Sequence, residues 1–335
     1  MTGGVSSGCN RRAGMSGRTV GGTRRRGALV AVLAAVAMTL GSTHAEFSRS
    51  EPAGYAPHCL AVGAAVNAPQ GTDSGDLPLF RKAVAALGPL TVRRSFDSSL
   101  PRTFASSAAA GDEAAGVHSF VSWKPPHGDH RGAAKGRYDR QITAWAKSVP
   151  RTGVYATSFH EPEDDMTGPE FVAFQRHLYT VVKAANPTIQ WGPIYMAYWW
   201  DPASPSHFVD DPAKWWPGDR YADFAGLDWY GPDPQPMTGS GSFRFWYQFM
   251  ALTGVPLFIT EYGQYAVPQG ERRRPAKEKA RAAAIREDAA WIAQHPRIRM
   301  WLYWQAVGAQ GDWRLRDEAS RKAWREVAEA GCRPE

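Results

Sequence analysis

Acidic residues are missing from the first 45 positions, and cysteine is scarce throughout, 3 in 335 residues. The opening segment carries six arginines instead: Arg11, Arg12, Arg18, Arg24, Arg25 and Arg26. The apolar run that follows them, Ala28 to Leu40, has 13 residues, short of the roughly 20 a membrane-spanning helix needs. A basic stretch, a short apolar stretch and the small residues Gly41–Ala45 together describe a cleavable export signal over residues 1–45, which leaves no stable membrane insertion after cleavage. Sec and twin-arginine export both remain open. Also lacking are a Gly-x-Ser-x-Gly elbow, a P-loop, a Gly-x-Gly-x-x-Gly turn opening a helix, and His-Glu-x-x-His spacing among the nine histidines. These absences argue against the hydrolase, nucleotide-binding and zinc-protease chemistries that those motifs serve.

The excess of positive charge belongs mostly to the export signal. The whole chain has 39 basic and 32 acidic residues, net +7; without the six leader arginines the count is 33 against 32, net +1. No nucleic-acid partner is therefore expected, since that would need a basic face on the folded domain. Cys9 falls in the leader, which leaves Cys59 and Cys332 near the two ends of the remaining chain. Two lone cysteines in an oxidising compartment usually pair, so a Cys59–Cys332 bridge is expected over two buried thiols. An exported protein, secreted and monomeric, is the expectation.

After a short linker over 46–57, apolar β-rich runs alternate with amphipathic ones. Eight strands are predicted: Leu60–Val66, Leu90–Phe96, Gly116–Trp123, Gly153–His160, Ile189–Tyr195, Phe224–Tyr230, Pro256–Glu261 and Arg299–Gln305. Helices are predicted between them at Leu77–Leu87, Tyr138–Lys147, Gly168–Ala185, Phe243–Leu252, Arg274–His295 and Ala319–Ala330. In the third of these, Phe171, Phe174, Leu178, Val181 and Val182 recur at near-helical spacing. Residues 105–115, rich in Ala, Ser and Gly, read as a flexible loop or weak short helix. Strand–helix alternation implies parallel βαβ units, and eight of them suggest an α/β fold, a single (β/α)8 TIM-barrel domain over residues 58–335.

Chemistry-bearing residues gather at the C-terminal ends of predicted strands, where barrel enzymes build their sites. The run Tyr155-Ala-Thr-Ser-Phe-His160-Glu161-Pro162-Glu163 ends a strand in a glutamate, as does Pro256-Leu-Phe-Ile-Thr260-Glu261-Tyr262-Gly263. A charge at the inner end of a buried strand is costly without work or partners. In an eight-stranded barrel these glutamates end strands four and seven, which face each other across the mouth. Paired carboxylates are what glycosidic cleavage requires, one to protonate the leaving oxygen and one to attack. A third segment, Trp215 to Gly231, ends in Asp228-Trp229-Tyr230, and the Tyr230 hydroxyl is placed to donate to the nucleophile. Trp123, Trp199, Trp200, Trp229 and Trp304 collect at strand ends, where some would line a sugar cleft, Trp304 foremost. His127 and His130 read as loop residues rather than metal ligands, and Pro268–Pro275, with three consecutive arginines, reads as a solvated basic loop.

On these motifs the chain resembles the retaining clan of (β/α)8 glycoside hydrolases, and within it glycoside hydrolase family 26. His160 stands before Glu161 where the wider clan has Asn. Residues 217–230 are similar to that family's sixth-strand region, and Thr260-Glu261-Tyr262-Gly263 to its nucleophile strand. The likeness extends loosely over residues 59–330. It implies Glu161 as acid/base, Glu261 as nucleophile, His160 and Tyr230 as their neighbours and Trp304 as a sugar platform, with Trp123 and Trp200 as further substrate-binding candidates. It implies an endo-β-1,4-mannanase-like activity on polysaccharide or oligosaccharide, and no metal or organic cofactor. Pro162 departs from the family, which leaves xylan, mixed-linkage glucan and bacterial exopolysaccharide open as substrates. A non-catalytic carbohydrate-binding protein on a degenerate barrel is the rival expectation.

Overall fold

The computed structural model describes residues 59–66, 77–204 and 207–334; the expected export signal and the linker over 46–57 lie outside them. Nine parallel strands form one sheet: β1 Ala61–Ala65, β2 Val92–Asp97, β3 His118–Trp123, β4 Tyr155–Ser158, β5 Gln190–Trp191, β6 Ile194–Met196, β7 Ala225–Gly231, β8 Leu257–Gln264 and β9 Ile298–Trp304. Their order is β5-β4-β3-β2-β1-β9-β8-β7-β6. The two edge strands, β5 and β6, are consecutive in the chain, so the expected fifth strand is present but interrupted. Its Gly192 N–H bonds to Ala156 O on one side, while Pro193 O accepts from Gly226 N at 2.8 Å on the other. The sheet therefore closes through this strand into the expected barrel. The interruption has a local cause. Pro193 has no N–H to give a ladder, and a Cβ on Gly192 would lie 2.2 Å from Phe224 O.

Alternation along the strands fills the barrel in layers. Phe120, Phe224, Phe258, Met300 and Leu302 pack with Val92, Ile194 and Tyr155 as an apolar plug toward the strand starts. Phe224 and Phe258 stack with ring centres 4.5 Å apart. Two residues beyond Val92, Phe120 and Phe258, and four beyond Phe224, the interior becomes polar, with Arg94, Ser122, Thr260 and Asp228, all buried. The Arg94 guanidinium carbon lies 5.6 Å from the Phe120 ring centre, directly on the plug. One residue earlier, Arg93 points outward instead, and its Nε bonds Asp112 at 2.5 Å.

Helices cover the outside: α1 Leu77–Leu87, α2 Ala108–Ala114, α3 His130–Ala134, α4 Asp139–Ser148, α5 Gly168–Ala185, α6 Gly241–Met250, α7 Pro275–Ile292 and α8 Glu318–Ala330. In α5 the expected stripe is buried at Phe171, Phe174, Leu178 and Val182. The weak helix over 105–115 forms as α2, whose Asp112 is Arg93's partner. α7 buries a thin apolar line, Ala282, Ile285 and Ile292, and with it the charged Arg281 and Asp288. Asp288 accepts from Met237 N, Thr238 N and the Tyr262 hydroxyl, and Arg281 pairs with Asp317 at 2.5 Å.

Cys59 and Cys332 are joined by a disulfide with Cα atoms 5.5 Å apart. Cys332 N also bonds Leu60 O at 3.0 Å, so the segment after α8 runs beside the first strand. The bridge spans 273 positions. Removing a native disulfide typically costs about 2–5 kcal/mol. Replacing both cysteines by serine is expected to lower the guanidinium unfolding midpoint accordingly, with an unchanged far-ultraviolet circular dichroism spectrum.

Candidate active site

Glu261 reaches the barrel mouth through an irregularity in β8. Leu227 pairs with Ile259 and Asp228 with Glu261, so Thr260 is one residue too many for the neighbouring strand. The same excess appears against β9, where Trp301 pairs with Ile259 and Tyr303 with Tyr262. A bulge of this kind re-aims a side chain. It lets two consecutive residues serve the interior: the Thr260 hydroxyl donates to Asp228 at 2.6 Å, and Glu261 lies 2.9 Å from Arg94 Nη1. Tyr262 is then turned outward onto Asp288 and Trp324.

Arg94 centres the site. Its Nη1 is 2.7 Å from Asp228 as well as 2.9 Å from Glu261, and its Nε donates to Ser122 at 3.0 Å. The other face of Glu261 accepts from the Tyr230 hydroxyl. Burial, then the charge of Glu261, holds the Tyr230 hydroxyl well above its ordinary range, so Tyr230 keeps its proton and donates.

Glu161 is placed by strained backbone. β4 stops at Ser158, two residues short of the predicted end at His160. Phe159 and Glu161 then both take positive φ, 57° and 56°, a conformation costing about 1–3 kcal/mol per residue. The Glu161 N–H bonds Ile194 O at 3.0 Å, which fixes the turn to β6. Carboxylate oxygens of Glu161, Asp228 and Glu261 all lie within 4.8 Å of one another. Among the described residues these three form the one such group of ligand atoms, with the Arg94 cation bonded to two of them.

Three carboxyls around one guanidinium in a dry site cannot all be ionised. Burial, then the charge of Asp228, pushes Glu161 up to about 8, and the same two causes raise Glu261 against the pull of Arg94 and Tyr230. Glu261 has a cation and a hydroxyl donor on its oxygens, whereas no described side chain bonds the Glu161 carboxylate. Of the two, Glu161 is therefore the better placed to hold a proton and Glu261 to carry the charge. His160, pressed edge-on to Phe96 with ring centres 5.4 Å apart, is held well below its usual range by burial, then by Arg94 and Lys124, so its ring is neutral.

The carboxylates open into a cleft of about 340 Å³ whose walls include Phe96, His160, Met196, Tyr230, Trp304 and Trp313. A larger hollow, about 550 Å³, opens at the opposite end of the barrel among His118, Tyr155 and Phe258. Its lining acid, Asp223, is already bonded to Lys183 and to Trp191 N, so that end offers no paired carboxylates.

Glu161, Glu261, His160, Tyr230 and Trp304 thus come together at one mouth. Trp123 and Trp200 do not: both are 0% exposed. Trp123 packs on Trp191 with centres 6.0 Å apart, and Trp200 donates its Nε1–H to Glu163 at 3.1 Å. Trp123 ends β3 with its ring turned away from the cleft, and Trp200 lies past the end of β6, in the short helical turn Ala197–Trp200. Neither His127 nor His130 joins the carboxylates; His130 packs edge-on to Phe159. Sequence reasoning left out Arg94, Asp228, Phe96 and Trp313. For Arg94 a signal existed: two arginines in the middle of an apolar strand are too costly without buried partners.

No family model matches the chain, and no curated protein matches it by sequence. Solved structures do match in shape. A glucosidase from Croceicoccus marinus aligns over 82% of this chain and 66% of its own, at 14% identity and TM-score 0.53. A Bifidobacterium dentium β-glucuronidase aligns over 81% and 46%, at 14% identity and TM-score 0.56. A family 39 glycoside hydrolase from Bacteroides cellulosilyticus aligns over 81% and 64%, at 13% identity and TM-score 0.53. The chain spans less than two thirds of each. At such identities the likeness establishes the fold, a (β/α)8 barrel of the kind these glycosidases share.

Glu163, just past the strained turn, does not itself line the cleft. It accepts from Met196 N and Trp200 Nε1, each at 3.1 Å, and burial raises it from 4.5 to about 8. Its raised folded value means that its stabilising proton is fully kept below 4.5 and lost as pH rises through about 8. Glu163→Gln keeps both acceptor bonds without the titration. Denaturant unfolding at pH values across that window should show a shallower loss of stability than in the parent; an identical slope would refute a buried proton on Glu163.

Proposed function

We propose that the protein is a retaining glycoside hydrolase acting on a β-linked polysaccharide. The observation that carries this reading is the spacing and unequal bonding of two glutamates. Their oxygens approach within 4.8 Å, in keeping with the carboxyl separation of about 5–5.5 Å in retaining enzymes rather than the wider gap that holds a water. One is held by Arg94 and Tyr230, and the other keeps a proton.

In the first step Glu261 attacks the anomeric carbon while Glu161 gives its proton to the departing oxygen. In the second, ionised Glu161 takes a proton from water, which frees the glycosyl enzyme with retained configuration. Arg94 and Tyr230 orient Glu261 and keep it anionic until it attacks. Neutral His160 and Trp304 frame the sugar beside the carboxylates, and Trp304 offers a flat apolar surface to the C–H face of a ring. β-1,4-Mannan is the first substrate to test, on the family resemblance of residues 217–230 and 260–263. Secretion as a monomer is part of the same proposal; it rests on the leader and on the disulfide. No described helix is long and apolar enough to cross a membrane.

Glu161→Gln should lower turnover about 10²–10⁴-fold, and Glu261→Ala at least as far, both with the parent's circular dichroism spectrum. In the parent, kcat/KM should fall on the alkaline side as Glu161 loses its proton near pH 8, and Glu161→Gln should abolish that limb. Mass spectrometry after a 2-fluoro-glycoside inactivator should find the adduct on Glu261; an adduct elsewhere, or near-parental activity in either variant, overturns the assignment.

A further inference from the structure

Of the three consecutive arginines in the loop after β8, Arg273 lines a groove beside the cleft. A two-stranded hairpin follows β9, with β10 Val307–Gly308 paired to β11 Gly311–Asp312. Val267 bonds to Asp312 in both directions at 2.9 Å, which holds the hairpin against the loop after β8. Between them runs a groove of about 450 Å³. Gly308 and Ala309 line both this groove and the catalytic cleft, so the two hollows meet at the hairpin.

The groove is positively charged. Arg273, Arg314 and Arg316 line it, against the acids Glu271 and Asp312. Asp312 is shared: Arg314 binds it at 2.7 Å and Arg316 at 3.0 Å, so one carboxylate serves two guanidiniums. Glu271 is bonded to Arg274 at 3.0 Å, and Arg273 lies 3.2 Å from Glu278 at the start of α7. Arg273 and Arg316 keep 47% of their side-chain surface exposed. Counted over the lining, three guanidiniums stand against two carboxylates, an excess of one positive charge.

We propose that the groove is a distal subsite for an anionic group on the glycan, a carboxylate or an ester-linked sulfate, carried by a sugar a few units from the bond that is cut. Guanidiniums present forked donors that match such oxyanions. A chain lying across Gly308 and Ala309 passes from the carboxylate pair to this charge. The inference rests on the glycosidase reading for its substrate, and it names acidic polysaccharide as the class.

The test is affinity electrophoresis of the Glu261→Ala protein, which binds without turnover, and of the same protein carrying Arg273→Ser and Arg316→Ser. Gels contain alginate (carboxylate), a sulfated galactan, or neutral galactomannan. Retardation by alginate that weakens about fivefold or more in the double-arginine variant, as expected for two partly exposed charge contacts, supports a carboxylate subsite; the same pattern in the sulfated gel alone assigns sulfate. No retardation by either polyanion, or retardation that the variant keeps, overturns the proposal. Turnover of a small aryl glycoside by the Arg273→Ser/Arg316→Ser enzyme should stay at the parent level. Absence of that activity in the parent would sink the enzyme reading instead, whatever the gels show.

Discussion

One guanidinium, shared between two carboxylates inside a barrel, sets the terms for everything around it. Arg94 is completely buried, and a bare cation there would be intolerable. Asp228 and Glu261 neutralise it, and Ser122 takes a further proton donor. Removing one member of such a set strands the others, at roughly 3–5 kcal/mol, so the group stands or falls together. A surplus of negative charge remains once Glu161 is added. That surplus favours a proton on the glutamate with no described donor on its oxygens, which is the asymmetry the proposed mechanism uses.

The apolar plug beneath makes this electrostatic division possible. Phe120, Phe224 and Phe258 close the barrel below Arg94 and deny the polar layer hydration from that side. The strained turn at Phe159–Glu161 fixes the acid from above. Neither device depends on the loops that shape the cleft, so the carboxylate pair could be kept while substrate preference changed.

The repeating architecture was legible because its signals are local: apolar runs of strand length, an α5 stripe at helical spacing, turns between them. Both glutamates were legible too, since charge at the end of an apolar strand is expensive. What was not legible depended on register. Strict alternation puts Thr260 and Tyr262 on one face and Glu261 on the other; the bulge at Thr260 overturns that, and nothing in Ile259-Thr260-Glu261-Tyr262 announces it. Trp123 turns away from the cleft because a strand-end position does not say which way a ring points, and Trp200 is buried because the chain has already left β6 for a short helical turn. The break at Gly192–Pro193, by contrast, was written in the residues themselves and was read through as a continuous strand. Residues 108–114 form a helix whose Asp112 meets a charge from β2, a partner far outside any local window.

The tie between Cys59 and Cys332 makes the domain, in effect, a ring. Its two ends already sit a single bridge apart, alongside the same strand, and the order of units around the barrel has no natural first member. A few glycines joining 332 back to 59 would let the polypeptide be cut open at an exposed turn such as 151–153 and still trace the same cylinder. The mouth that holds Glu161, Asp228 and Glu261 would be built from the same strands either way.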